Sequence, residues 1–106
     1  MFARIVSVRL KPNMSAQFSE AIEKKILPIV RKQKGFREEY TFVASGGKEG
    51  VGISLWDSQE DLDAYNSGSY REVARELAGF VEGTPTVQTY KVVNSTAHNI
   101  GSRPAA

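Results

Sequence analysis

FREEYTFVASGGKEGVGISLW, residues 36–56, decides the fold. It reads as two β-rich runs, Phe36 to Ala44 and Gly50 to Trp56, joined by the turn Ser45-Gly46-Gly47-Lys48. Two such runs around a glycine-rich turn predict a β-hairpin. Before it, residues 2–10 are β-rich through Ile5, Val6, Val8 and Leu10. Met14, Phe18, Ala21, Ile22 and Ile29 then recur at helical spacing behind Asn13, a candidate N-cap. Pro28 removes a helical hydrogen bond and predicts a kink or restart near Ile26-Leu27. Gly35 after Lys32-Gln33-Lys34 reads as the helix stop.

After the hairpin, Ser58-Gln59-Glu60-Asp61 is a capping signature, and Leu62 and Tyr65 share one face of the helix it opens. Asn66-Ser67-Gly68-Ser69 breaks that helix. Tyr70, Val73, Leu77, Phe80 and Val81 form the inner stripe of the next, which Gly83-Thr84-Pro85 ends. Val87 to Val93 reads as the last strand. The order βαββαβ makes an α+β domain over residues 1–93, one antiparallel sheet with its helices on a single face. Residues 94–106 read as a flexible C-terminal tail.

The other face of that sheet needs a cover. Strand side chains alternate, so Val51, Ile53 and Leu55 oppose Gly50, Gly52, Ser54 and Trp56. The β-branched set is expected under the helices, with the glycine, serine and tryptophan set on the uncovered side. Phe36, Tyr40 and Phe42 share one side of the preceding strand, too apolar to be left in water.

Composition narrows the function. With 14 basic and 12 acidic residues the net charge is +2, too balanced to point to nucleic acid or an anionic membrane. No stretch approaches 18 apolar residues. The start Met1-Phe2-Ala3-Arg4 lacks the pattern of a signal peptide, so a cytoplasmic location is expected. There is no cysteine, which excludes disulfides, thiolate metal sites and a cysteine nucleophile. Gly46-Gly47 is a hairpin turn and no dinucleotide fingerprint is present, so no cofactor is expected.

Six residues are candidates for a site. Trp56 either lines a pocket with its indole N–H aimed at a ligand oxygen or plugs the space between helix and sheet. Tyr40 and Tyr65 carry phenols that can donate to a substrate. Arg4 is unusual in a β-rich run and is read as an anion binder, a partner for a carboxylate across an interface, or an outward charge. Asn66 is the asparagine nearest this group. Ser54 lies beside Trp56, where small residues leave room, but the single histidine, His98 in the tail, gives it no activating base. His98 reads as a solvated side chain, and Lys24, Lys25 and Lys34 as a solvated helix face. Glu38 and Glu39 are adjacent, so they point to opposite sheet faces rather than forming a carboxylate pair.

Several stretches resemble the antibiotic-biosynthesis-monooxygenase family of dimeric α+β barrel proteins. They are Val8-Arg9-Leu10-Lys11-Pro12, Leu27-Pro28 with Lys34-Gly35-Phe36, Ser54-Leu55-Trp56-Asp57-Ser58 with Glu60-Asp61, Ala64-Tyr65, and Tyr90-Lys91-Val92-Val93. The resemblance covers residues 2–93. It implies a ferredoxin-like unit whose open sheet face pairs with a second copy, Tyr90 serving the interface or barrel rim. It implies as well a cofactor-independent monooxygenase acting on a small or polycyclic aromatic phenol or quinol, with Trp56 and Tyr65 at the reacting substrate. Tyr40, Arg4, Ser54 and Asn66 would then bind it. Related cofactor-free oxygenases orient substrate with a strand asparagine, and the strand cores here have none. Heme-degrading relatives use a helix histidine, absent from residues 58–81, and no metal site is expected. The alternative is a non-catalytic small-molecule-binding or scaffold homodimer of the same fold. An RNA-binding module shares the element order, but Val51 and Ile53 occupy the positions where it needs aromatics.

Overall fold

The computed structural model describes residues 1–98. Strands β1 (Phe2–Leu10), β2 (Phe36–Val43), β3 (Glu49–Trp56) and β4 (Val81–Lys91) form one antiparallel sheet in the order β2-β3-β1-β4. Helices α1 (Ser15–Ala21), α2 (Leu27–Val30), α3 (Gln59–Ser67) and α4 (Tyr70–Leu77) pack on one face. This is the expected ferredoxin-like α+β architecture. Of the tail expected from residue 94, residues 99–106 lie outside the described residues. Residues 94–98 run to the far edge strand, where His98 Nε2 lies 2.7 Å from Glu38 Oε1. His98 is therefore paired rather than solvated.

The predicted break before Pro28 takes a definite form. Between α1 and α2 the chain makes a π-helical turn, Ile22–Ile26, and Pro28, which has no N–H, falls in the first turn of α2. Asn13 is not the N-cap. It takes the left-handed conformation at φ 57°, and Met14 caps α1 without a side-chain hydrogen bond. Ser58 does cap α3, its Oγ accepting from Asp61 N–H at 3.1 Å. Gly35 has φ 80°, and a Cβ there would run into the Asp61 carboxylate, so the helix stop is also a close approach to α3.

The register reverses the expected assignment of faces. Arg4 pairs with Ser54, Val6 with Gly52 and Val8 with Gly50, and Trp56 is fully buried beneath the helices. Gly50, Gly52, Ser54 and Trp56 thus face the helices, while Val51, Ile53 and Leu55 face the open side. The reason is steric: a Cβ at Gly50 would sit 3.0 Å from the Phe18 ring, so glycine lets α1 approach the sheet. Phe36 is also reversed. A bulge at Arg37 places Phe36 opposite Trp56 and Glu38 opposite Leu55, so Phe36 faces the helices and Tyr40 and Phe42 the open side.

The last strand starts at Val81, earlier than expected, and ends at Lys91. Ser7 pairs with Thr86 but Arg9 with Glu82, so Gly83-Thr84-Pro85 loops out of the ladder, with Gly83 at φ 72°. The core has two buried clusters. Ile26, Val30, Trp56, Leu62, Tyr65 and Val73 form one; Val8, Leu10 and Phe18 form the other. Among the described residues no helix is long and apolar enough to cross a membrane.

Candidate functional site

A cavity of about 70 Å³ lies between sheet and helices, with members of both clusters in its wall. Apolar side chains of the sheet and helices make most of its wall, Val6, Phe18, Ile22 and Val73 among them. Its polar lining comes from Arg4, Glu39, Thr41, Ser54, Tyr65 and Tyr70. Strand register explains the convergence. Glu39 pairs with Ser54 and Ser54 with Arg4, so the three stand side by side across β2, β3 and β1 on the helix face.

Arg4 dominates the site. It is 4% exposed. Its Nε donates to Asn66 Oδ1 on α3 at 2.5 Å, and its Cζ lies 4.1 Å from the Tyr70 ring centre and 5.2 Å from that of Tyr65. Both aromatic faces stabilise the cation. Its Nη2 is buried with no hydrogen-bond partner among the described residues. A buried donor left open costs on the order of 1–3 kcal/mol, and more where the group is charged.

Glu39 is the acidic counterpart. Burial pushes its carboxyl above the ordinary 4.5, partly offset by the hydrogen bond its Oε2 accepts from Thr41 Oγ1 at 2.6 Å. No ion pair joins Glu39 and Arg4 among the described residues, so a donor and an acceptor face the same cavity unjoined. Because the folded-state value is raised, the protonated form is favoured by folding. Its stabilising effect is complete below pH 4.5 and is lost as pH rises through the raised value. Glu39→Gln is therefore expected to raise Tm more at pH 7 than at pH 4, and paired thermal melts at the two values check this.

Burial pushes the Tyr65 phenol up to about 12, despite the opposing Arg4 charge. It stays protonated near neutrality and serves as a donor, not a base. Trp56 stands behind it, the rings stacked with centres 5.0 Å apart. Trp56 does not line the cavity. Its Nε1 donates to Ser54 Oγ at 2.9 Å, so its donor is taken within the core. That bond leaves the Ser54 proton for an acceptor in the cavity.

Of the six sequence candidates, the fold brings Arg4, Ser54, Tyr65 and Asn66 together, with Trp56 as their backing. Tyr40 does not join them. It is on the open face, 48% exposed, its hydroxyl donating to Glu38. Nor can Arg4 meet a carboxylate across the open face, because it points the other way. Sequence reasoning missed Glu39, Thr41 and Tyr70. The two-residue spacing of Glu39 and Thr41 is the signal that places both on one face, opposite Tyr40 and Phe42, but nothing in the sequence showed that Arg4 and a cavity share that face. Among the described residues no group of three His, Cys, Asp or Glu side chains is placed to hold a metal ion.

A helix-covered antiparallel sheet with a buried basic group beside an apolar cavity describes a small ferredoxin-like α+β protein. The chain belongs to the antibiotic biosynthesis monooxygenase family, whose model matches residues 1–77. A search of curated proteins by sequence found no match. Solved structures share the fold at low identity. A monooxygenase from the gene ActVA-Orf6 of Streptomyces coelicolor, in complex with the ligand nanaomycin D, is 17% identical with a TM-score of 0.75, over 89% of this chain and 88% of that one. SnoaB, a cofactor-independent oxygenase from Streptomyces nogalater, is 12% identical with a TM-score of 0.74, over 92% and 97%. NE2512 of Nitrosomonas europaea, a protein of unknown function, is 14% identical with a TM-score of 0.73, over 99% and 95%.

Proposed function

We propose that this protein is a cofactor-independent oxygenase of a small aromatic phenol or quinol, working as a homodimer. The observation that carries the reading is the buried Arg4 guanidinium in the wall of an apolar cavity, its Nη2 without a hydrogen-bond partner among the described residues. It is a donor prepared for an oxygen that becomes negative. Ground-state molecular oxygen reacts slowly with closed-shell molecules, whereas a phenolate can give it one electron. The protein then has three tasks: bind the ring, favour its anion and exclude water.

The phenol ionises with its oxygen at Arg4, and Glu39 is the carboxylate the cavity offers for the proton. Its raised value brings it nearer the range suited to proton exchange at neutral pH. The phenolate passes one electron to dioxygen, and the radical pair joins at a ring carbon ortho or para to the oxygen. Glu39 returns the proton to the peroxide. The O–O bond and the carbon's C–H bond then break, water leaves, and a carbonyl remains. The sum is phenol plus dioxygen to quinone plus water.

The homodimer reading rests on the open face, where Tyr40, Phe42 and Tyr90 are each about half exposed beside Val51, Ile53 and Leu55. Such a surface suits isologous pairing with a second copy. The test of activity is oxygen uptake by the purified protein on a panel of phenols and quinols of one to three rings. Uptake above the buffer rate, with quinone formed in equal amount, is expected. A folded dimer that takes up no oxygen on any of them would overturn the reading and leave a binding dimer in its place.

A further inference from the structure

The cavity at Arg4 has a neighbour. A groove of about 210 Å³ runs along α4 toward β4, lined by Ala74, Ala78, Val81 and Pro85 among others. Val6, Val8, Tyr70 and Leu77 line both spaces and so form the partition between them. The groove exists because Gly83-Thr84-Pro85 leaves the β1–β4 ladder opposite Val8. No charged side chain lines it. The two spaces differ in what lines them: the inner one, of about 70 Å³, presents Arg4, Glu39 and Ser54, whereas the outer one, three times larger, presents no charged side chain.

We propose that the ligand has the same two parts: a one-ring phenolic head held between Arg4 and Glu39, and an apolar alkyl substituent lying in the α4–β4 groove. This rests on the functional reading above for the head and extends it to the substrate class. Size argues for one ring. An apolar cavity of about 150 Å³ holds a single benzene ring, so the inner space at about 70 Å³ needs one lining side chain to turn. Tyr70, half-buried on the partition, is the side chain whose turn also joins cavity to groove. Two or three fused rings would instead require α4 to lift from the sheet and expose Val73, which is 3% exposed. The apolar groove argues for the substituent. Each buried methylene is worth about 0.8 kcal/mol, close to fourfold in affinity.

The test is calorimetric binding under argon, where oxygenation cannot occur, with methylhydroquinone, butylhydroquinone and 1,4-dihydroxyanthracene as probes. The butyl compound is expected to bind at least tenfold more tightly than the methyl compound, and the three-ring compound more weakly than either. Ala78→Arg, at an exposed position, and Ala74→Leu should each reduce the butyl advantage to under threefold while leaving methylhydroquinone affinity unchanged. A butyl advantage below threefold in the unaltered protein, one that survives both substitutions, tighter binding of the three-ring compound, or no binding of any probe would overturn the proposal. The functional reading fails separately: selective binding with no oxygen uptake in air would refute catalysis and leave the two-part site standing.

Discussion

Arg4→Met is expected to reduce oxygen uptake by about 10²–10³-fold, the usual cost of removing a donor to a developing oxyanion, while Tm stays level or rises. The two effects have opposite signs for a physical reason. In the resting protein the guanidinium is buried, its Nη2 has no partner among the described residues, and its charge is balanced only by aromatic faces and one amide oxygen. Replacing buried ionic groups with well-packed apolar side chains is often neutral or stabilising by about 1–4 kcal/mol, and here no carboxylate among the described residues is left behind unpaired by the change. Asn66 then loses its donor, but it is half-buried and water can replace it. Arg4→Lys should not rescue activity, because a point charge cannot hold Asn66 and reach into the cavity at once. Oxygen uptake and thermal melts on the same preparations check both halves. A structural arginine would give the reverse result, a lower Tm with activity lost only in proportion to unfolding.

The element order was legible because each boundary carried local chemistry. Gly46-Gly47 turns the hairpin, Ser58 caps α3, and Pro28 marks where helical hydrogen bonding changes type. The faces were not legible, because both faces of β3 suit a cover. Val51, Ile53 and Leu55 read as core by hydrophobicity alone, yet Gly50 and Gly52 belong under the helices since α1 and the cavity need the room. The bulge at Arg37 then hid the parity of β2, one inserted residue moving Phe36 to the opposite face from Tyr40. Arg4 was visible as an anomaly in a β-rich run, since a charge in a central strand needs a reason. Glu39 was discarded as half of an adjacent pair, when the partner that matters is Thr41 two residues on.

Trp56 is where that difference in parity becomes measurable. On the uncovered side it would be a substrate contact, and Trp56→Phe would lower activity at unchanged stability. In the core it is fully buried, edge-on to Phe36, stacked on Tyr65 and bonded to Ser54. Trp56→Ala is then expected to cost about 3–5 kcal/mol through the cavity it leaves. That is a large share of the roughly 5–15 kcal/mol that keeps a domain folded, and it should lower Tm by on the order of 15–30 °C. Trp56→Phe keeps most of the ring but strips the donor from the buried Ser54 Oγ, so a loss of about 1–3 kcal/mol is expected. Assayed well below its own Tm, the Phe variant should keep at least a third of the activity, because Arg4 and Glu39 still face the cavity. Melting curves read by circular dichroism, with oxygen uptake at 15 °C, separate the two placements. A Phe variant with unchanged Tm and no turnover would put the indole at the substrate after all.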